Sequence, residues 1–327
     1  MGAVGCRFEL MGVTRNSPPV SSERGFVLLI VIWVTGLLAL TAASFVNSVR
    51  THIKLTANIV ENAQAEALAD AGVHIAVMNL VAYRQTRAGD RRFAVDGTPT
   101  VCRTPTGELL RIAVEDESGK VDLNVASEQL LTKLLQGLGA APSEVSAYTD
   151  RILDFRDADD ERRPAGAERW EYRAAGLAHG PKNGSFYTVD ELEQVLSLPA
   201  GLAGRLRPWL TVYSGQAGID PDVAPIDLLV ALSQSPQPSA AGPLGLHNDE
   251  RPRRSLPVPP EFVSASLRRA FTVRSEARTV RGARFVREAV VEFRATRTTT
   301  HVLRRWHRGE AAPADALDGP ADNWPPC

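Results

Sequence analysis

The chain has 327 residues, of which 44% are hydrophobic and 23% are charged, so it is long enough for one large domain or two smaller ones and is not disordered throughout. Its 37 Lys and Arg residues nearly balance 38 Asp and Glu residues, for a net charge of -1, which excludes a general attraction to nucleic acid or anionic lipid. The three cysteines, Cys6, Cys102 and Cys327, have no CxxC spacing, which excludes a cysteine zinc site and allows at most one disulfide.

An uncharged apolar stretch of 21 residues runs from Phe26 to Val46. This is close to the ~20 residues that a helix needs to cross the hydrocarbon core of a bilayer. The apolar region of a secretory signal peptide is shorter, about 7–15 residues, and a buried helix of a soluble protein rarely stays uncharged for so long. Residues 26–46 are therefore predicted to form a transmembrane span.

Residues 1–25 form a polar leader that ends in Ser-Ser-Glu-Arg-Gly25, directly before Phe26. This junction resembles the leader of type IV prepilins, which a membrane aspartyl peptidase cleaves on the cytoplasmic side after the glycine. The resemblance implies that Gly25 and Phe26 form the processing site and that Phe26 becomes the methylated N-terminus. It also implies a single pass through the bacterial inner membrane, with a cytoplasmic N-terminus and a periplasmic C-terminal domain.

The fifth residue counted from Phe26 is Ile30. Major pilins and most pseudopilins carry a glutamate there, which pairs with the N-terminal amine of the subunit ahead in the filament. An unpaired carboxylate in lipid is costly, so a subunit with none ahead of it has no use for this glutamate. Its absence resembles the minor pseudopilin K family of type II secretion systems, whose members are proposed to sit at the tip of the pseudopilus.

After the span, an apolar stripe at steps of three and four residues predicts that the helix continues and packs on a sheet. The stripe contains Val49, Ile53, Val60, Ala63, Ala67, Ala71, Ile75, Met78 and Val81. Two or three short strands are predicted in residues 91–115, and period-two alternation predicts antiparallel strands near the C-terminus.

The predicted fold class is α+β: a long N-terminal transmembrane helix on an antiparallel sheet, as in the pseudopilin fold, with an inserted subdomain of helix-hairpin-helix character. Within that insert, Leu130, Leu131, Leu134 and Leu135 are placed on one helix face. After the leader and span, the predicted segments are 47–115 for the periplasmic helix and first strands, 116–218 for the inserted helical subdomain, 219–232 for a strand and helix that return to the body, 233–258 for a linker, 259–310 for C-terminal strands and 311–327 for a loose tail.

The resemblance to the pseudopilin K family is most specific inside the insert. The family's motifs correspond here to Asp154-Phe155-Arg156-Asp157-Ala158-Asp159-Asp160, Pro164-Ala165-Gly166-Ala167-Glu168, Pro181-Lys182-Asn183-Gly184-Ser185-Phe186 and Asp190-Glu191-Leu192. It implies assembly with other minor pseudopilins, of the I and J types, and contact with the prepilin peptidase and the inner-membrane secretion platform. It implies support of protein export rather than catalysis.

Acidic residues crowd one loop of the insert. Like charges so close repel one another unless a cation or an arginine neutralises them. Calcium tolerates irregular ligand spacing, and pseudopilins of this system are known as a group for structural calcium, so a Ca²⁺ site is one interpretation. A solvated loop is the other, partly neutralised by Arg156, Arg162, Arg163 and Arg169. The candidate ligands are Asp154, Asp157, Asp159, Asp160 and Glu168.

Two other function classes are less well supported. Residues 122–139 resemble the helix-hairpin-helix module of DNA-uptake proteins, which grips phosphate, but residues 115–171 hold fourteen acidic against seven basic residues, so no nucleic acid is expected. An enzyme is not expected, since the chain lacks a G-x-S-x-G, P-loop or HExxH motif. Residues 261–310 hold twelve arginines against five acidic residues. This excess is typical of a solvated strand face, and contact with an acidic partner or with the acidic half of the same protein are the alternatives.

Overall fold

The computed structural model describes residues 23–86, 93–137, 139–233, 256–294, 300–311 and 325–327, in two units, Met1–Ile59 and Val60–Cys327. Most of the predicted leader, residues 1–22, lies outside the described residues, as do 234–255 of the predicted linker and 312–324 of the predicted tail.

The first helix, α1, runs Glu23–Thr86. In the first unit, all side chains from Phe26 to Val46 are exposed, including Trp33 at 71%. Its most apolar 18-residue window has a mean hydropathy of 2.6 and is 0% buried. By length and composition, this helix can cross a membrane.

In the second unit, α1 from Val60 onward packs on the sheet through a face of small residues. Its buried members are Ala65, Ala69, Gly72, Val73, Ala76, Val77 and Leu80. The predicted packing of the helix on a sheet is confirmed, and Ile75 and Val81 of the predicted stripe pack against the core. The stripe was wrong for Ala63, Ala67 and Ala71, which are exposed, and for Met78, which is 71% exposed. A Cβ placed on Gly72 would lie 2.1 Å from the Ser275 Oγ, so this close approach of helix and sheet requires glycine.

Five antiparallel strands form the main sheet in the order β1-β2-β5-β6-β7. They are β1 Thr100–Arg103, β2 Leu109–Asp116, β5 Ala270–Arg278, β6 Arg284–Glu292 and β7 Val302–Arg308. The strands predicted near the C-terminus are confirmed, and two of the two or three strands predicted within 91–115 are present. The helix and sheet share one core that contains Val77, Ile112, Val273 and Val291.

The remaining elements lie between β2 and β5 and have a core of their own. They are β3 Val121–Asp122, α2 Glu128–Gly137, α3 Pro142–Arg156, α4 Arg169–Ala174, α5 Leu202–Leu206, β4 Leu210–Thr211 and α6 Ile226–Leu232. The four leucines placed on one face of α2 are each 1% exposed, so that prediction is confirmed. The α+β class, with a helical insert between two strands of the sheet, is confirmed as well.

A disulfide joins Cys102 on β1 to Cys327, whose Cα atoms are 4.9 Å apart. Beside it, the Arg103 N–H donates to the Pro325 carbonyl at 2.8 Å, and the Cys327 N–H donates to the Arg103 carbonyl at 2.9 Å. The prediction of a loose tail over 311–327 was therefore wrong for residues 325–327. A local sequence pattern does not indicate this attachment of residues 325–327, because the two cysteines are 225 residues apart.

Candidate functional site

The acidic loop, residues 157–168, connects α3 to α4. Helix α3 ends where the Asp157 N–H donates to the Leu153 carbonyl at 3.0 Å, and α4 begins after Glu168 at its N-cap position. The Glu168 N–H donates to the Glu171 carboxylate at 3.0 Å, which fixes the entry of the chain into α4. One end of the loop therefore carries Asp157 and the other carries Glu168.

Carboxylates of α3 fold the loop back onto the helix. Asp150 accepts the Ala165 N–H at 2.9 Å, and the completely buried Asp154 accepts the Arg163 N–H at 3.3 Å. A Cβ on Gly166 would lie 1.9 Å from the Asp154 Oδ2, so only glycine allows the backbone to come this close. These contacts return the end of the loop to its start.

The folded loop brings three carboxylates to one point. Oxygen atoms of Asp157, Asp159 and Glu168 all lie within 4.8 Å of one another. Both oxygens of Glu168 and the Oδ1 atom of Asp157 are buried and have no hydrogen-bond partner among the described residues. The Asp154 Oδ1 is also without a hydrogen bond, and its ion-pair neighbour is the Arg163 Nε. Buried acceptors are normally paired, so this group of oxygens needs a cation or protons.

The pKa values of the cluster reflect this crowding. Burial, followed by the charges of Asp154, Asp157, Asp160 and Asp159, raises the pKa of Glu168 to about 7. Burial also raises the pKa of Asp154 and of Asp157, to which Asp157 and Asp159 respectively add repulsion. The negative charge of these carboxylates therefore favours binding of a proton at low pH or of a cation at high pH.

The arginines considered in the sequence contribute unequally. The Arg163 Nε lies 3.4 Å from the Asp154 Oδ1. Arg156 donates to the backbone carbonyls of Leu123 and Ala126 instead. The Arg162 Nε lies 3.4 Å from the Glu171 carboxylate, at the side of the cluster. The arginines thus leave most of the negative charge of the loop in place.

Of the five predicted ligands, Asp157, Asp159 and Glu168 converge, and Asp154 lies behind them as a buried neighbour. The Asp160 Oδ1 instead accepts a hydrogen bond at 3.0 Å from the amide of Asn183, which also donates to the Asp159 carbonyl at 3.0 Å.

Asn183 is a site residue that the sequence prediction missed. It has a φ of 49°, and its Oδ1 is buried without a partner among the described residues. Its place in the Pro-Lys-Asn-Gly segment was the available signal.

The residues fit a calcium ion. Ca²⁺ binds six to eight oxygens at about 2.3–2.6 Å, so two oxygens on opposite sides of the ion are about 5 Å apart. One oxygen from each of the three carboxylates lies within 4.8 Å of the other two, which is close enough for a single ion to contact all three. Carboxylate and amide oxygens are the donors that calcium prefers, and unpartnered atoms of both kinds are present.

The predicted processing site at Gly25 and Phe26, and the position Ile30 that lacks a glutamate, lie near the start of α1. Phe26 is 67% exposed and Ile30 is 44% exposed, in the uncharged exposed part of the helix. After Gly25, the first acidic residue in the chain is Glu61. The apolar surface of the span therefore carries no carboxylate.

Comparison with known proteins gives one consistent family. A family profile for protein K of the type II secretion system matches residues 109–215, which contain the acidic loop. A type II secretion system protein K of Klebsiella pneumoniae is 27% identical over 213 residues, covering 59% of this chain and 64% of that protein. A putative type II secretion system protein K of Escherichia coli K12 is 21% identical over 208 residues, covering 59% and 63%. The chain thus aligns with a little under two thirds of the length of these relatives.

Among solved structures, one chain of the GspK-GspI-GspJ complex from enterotoxigenic Escherichia coli matches with a TM-score of 0.50 and 18% identity. The alignment covers 80% of this chain and 99% of that one. At this level of identity the likeness concerns the fold. The profile and the two relatives agree, so residues 109–215 of this chain are similar to protein K of the type II secretion system, and the fold of the matched structure is consistent with that similarity.

Proposed function

We propose that this protein is a minor pseudopilin that caps or initiates the periplasmic pseudopilus at its tip and works by assembly rather than by catalysis. It is anchored in the inner membrane by residues 26–46 after prepilin peptidase removes residues 1–25. Its N-terminus is then cytoplasmic and its C-terminal domain is periplasmic, beside the inner-membrane secretion platform.

The observation that carries the tip position is the apolar, exposed start of the span. A subunit inside the filament needs a carboxylate to pair with the amine ahead of it, whereas Ile30 offers none and the first acidic residue is Glu61. An unpaired charge at this depth costs a few kcal/mol. The span is therefore suited to a subunit that follows no other.

Pseudopilins of the I and J types are proposed as partners. The matched chain comes from a complex of GspK with GspI and GspJ, and its fold resembles the fold of this chain. Because the likeness is one of fold, the partnership needs a direct test.

The test is to express the full chain together with prepilin peptidase and with candidate I and J pseudopilins, and to purify it in detergent. We expect mass spectrometry to show a loss of 25 residues, leaving 302 residues that begin at Phe26, and we expect both partners to co-purify. An intact Met1 or cleavage beyond Ala43 would contradict the prepilin assignment. Correct processing without either partner would contradict the assembly alone.

We also propose that the acidic loop binds structural calcium through Asp157, Asp159 and Glu168, with Asp154 behind them. The proposal is supported by their convergence within 4.8 Å and by the unpartnered buried oxygens. Calcium that binds only the folded state stabilises it by about 2.7 kcal/mol at a hundredfold excess over Kd. The melting temperature is therefore expected to fall on chelation and to recover with Ca²⁺, and equal melting in both conditions would contradict this proposal.

A further inference from the structure

A charged cleft lies away from the acidic loop, where the insert meets the strands. It has a volume of about 630 Å³. Its walls come from three parts of the chain: residues 186–190, residues 212–215, and residues of the C-terminal strands and their flanks. Arg269 directly precedes β5, Glu292 ends β6 and is followed by Arg294, and Arg304 and Arg305 lie within β7. We propose that this cleft, called here the arginine cleft, binds an extended acidic peptide segment of another protein through its carboxylates.

The arginine cleft has more cations than its own acids can neutralise. Four arginines line it against two carboxylates, a surplus of two positive charges; these residues are Arg269, Arg294, Arg304, Arg305, Asp190 and Glu292. Three of these arginines surround the Glu292 carboxylate. The Arg269 Nη2 and the Arg294 Nε lie 2.8 Å from its oxygens, and the Arg304 Nε lies at 2.5 Å.

The described ion pairs of Glu292 are with these three arginines. Its side chain is only 5% exposed, and although burial alone would raise its pKa, the hydrogen bonds from Arg294, Arg304 and Arg269 lower that pKa to about 2. Three guanidinium groups therefore share one carboxylate, and each retains N–H donors for a further acceptor. A second carboxylate that enters the cleft would meet donors that are already held in position.

The second internal carboxylate, Asp190, is also shared. It forms an ion pair with Arg207, and the Arg305 Nη2 lies 3.7 Å from its other oxygen. The Arg305 side chain is about one third exposed. The strand β7 carries both Arg304 and Arg305 and is the last strand in the sheet order, so the arginines sit on a rigid element at the rim of the domain.

The remaining lining residues favour a peptide over a simple anion. Phe186, Val212 and Tyr213 give the cleft an apolar wall, and Tyr187 is 72% exposed beside it. An inorganic anion would use the guanidinium groups alone, whereas a peptide can place carboxylates on the arginines and its remaining surface on this wall. A nucleic acid is disfavoured because its binders commonly neutralise about six to ten phosphates.

The described ion pairs do not place the acidic segment of the same chain, residues 115–171, on the arginine cleft. In the described ion pairs, arginines of 261–310 meet acids on α1, on the strands and in the turn Val189–Gln194, rather than acids of 115–171. The acids paired with arginines are Glu61, Glu66, Asp70, Asp190, Glu276 and Glu292. His307 pairs with a seventh acid, Glu288.

The proposal is tested on the full chain in an uncharged detergent, with a fluorescein-labelled hexaglutamate peptide and fluorescence anisotropy. We expect saturable binding that hexaglutamine of the same length does not show. Replacing two cleft cations together, Arg294→Gln with Arg305→Gln, should weaken binding at least about tenfold. The matched control, Arg281→Gln with Arg308→Gln, removes the same charge elsewhere on the sheet and should change the affinity less than about twofold.

Two further measurements distinguish a peptide site from a site for a simple anion. Tyr187→Ala keeps every charge, removes an exposed ring, and should weaken the peptide several-fold. Inorganic phosphate should compete only through ionic strength, as sodium chloride does. The proposal is overturned if hexaglutamine binds equally well, if the control pair loses as much affinity as the cleft pair, or if phosphate displaces the peptide specifically. Melting temperatures within a few degrees of the parent show that the variants are folded.

Discussion

Protonation of Glu168 should control the stability of the calcium-free protein. In the folded state its pKa is about 7, compared with an ordinary value of 4.5. Because the folded pKa is the higher one, the folded state binds this proton more tightly than the unfolded state. The stabilisation is complete below about pH 4.5 and is lost as the pH rises through 7.

The size of this effect follows from the two pKa values. At about 1.36 kcal/mol for each tenfold change in proton affinity, the difference between 4.5 and about 7 corresponds to ~3 kcal/mol. Glu168 is only 4% exposed, but Asp159 beside it is exposed, so solvent screens part of the repulsion and ~3 kcal/mol is the upper end of the effect. In a domain of this size, ~3 kcal/mol lowers the melting temperature by roughly 6–12 °C. Calcium should remove this loss, since it neutralises the same carboxylates.

The assay is thermal unfolding of the full chain in detergent from pH 5 to pH 8, with chelator and then with excess Ca²⁺. With chelator, the melting temperature should fall across this range, and Ca²⁺ should restore it at pH 8. Glu168→Gln should remove most of the pH dependence and most of the calcium response, and at pH 8 with chelator it should be more stable than the parent. Glu161→Gln is the matched control, because Glu161 is an exposed acid of the same loop.

Two results would refute this reasoning. One is melting in chelator that does not depend on pH between 5 and 8. The other is a Glu168→Gln variant that is less stable than the parent at pH 8 without calcium, because the carboxylate would then have a stabilising partner other than a metal ion.

Three other changes test the anchor, the disulfide and the helix–sheet contact. Ile30→Glu should lower secretion in a complementation assay, because it places an unpaired carboxylate in the membrane at a cost of a few kcal/mol. Ile30→Leu is the control and should leave secretion unchanged. More efficient incorporation of the glutamate variant along the filament shaft would contradict the tip position. Cys102→Ser should lower the free energy of unfolding by about 5 kcal/mol in the loop-entropy model for a separation of 225 residues, and a melting temperature equal to that of the parent would contradict a stabilising disulfide. Gly72→Ala should cost about 1–3 kcal/mol in unfolding free energy, and Ser275→Gly should restore part of it; an additive double variant would show that the two sites do not touch.

Elements with a strong local pattern could be predicted from the sequence. The span is an uncharged run long enough to cross a bilayer. The strands near the C-terminus alternate with a period of two, and the leucine face of α2 repeats at three and four residues. The face of α1 that packs on the sheet could not be found this way. Its buried members include Ala65, Ala69 and Gly72, whereas larger apolar residues such as Met78 point to solvent. Close packing selected small side chains there, and a hydrophobicity pattern gives them little weight.

The acidic loop was predictable in part for a similar reason. Its carboxylates are neighbours in the sequence, so their convergence is largely local, although Asp160 turns away to the amide of Asn183. Asn183 and the arginine cleft are assembled from distant segments. No local pattern reports that residues near 187, 213, 292 and 305 will line one cavity.

The position of the insert also sets the order in which the domain can be completed. Strand β2 ends at Asp116, yet its neighbour β5 begins at Ala270, so their pairing must close a very long stretch of chain. Contacts within the insert are closer in sequence and form sooner, since closure of distant contacts slows folding. During synthesis, the edge of β2 that later pairs with β5 therefore stays unpaired, and an unpaired strand edge can pair with other chains and cause aggregation. A chain that stops before Ala270 would keep the core of the insert, including Phe262, and would lose β5, β6 and β7, which supply much of the surface on which α1 packs.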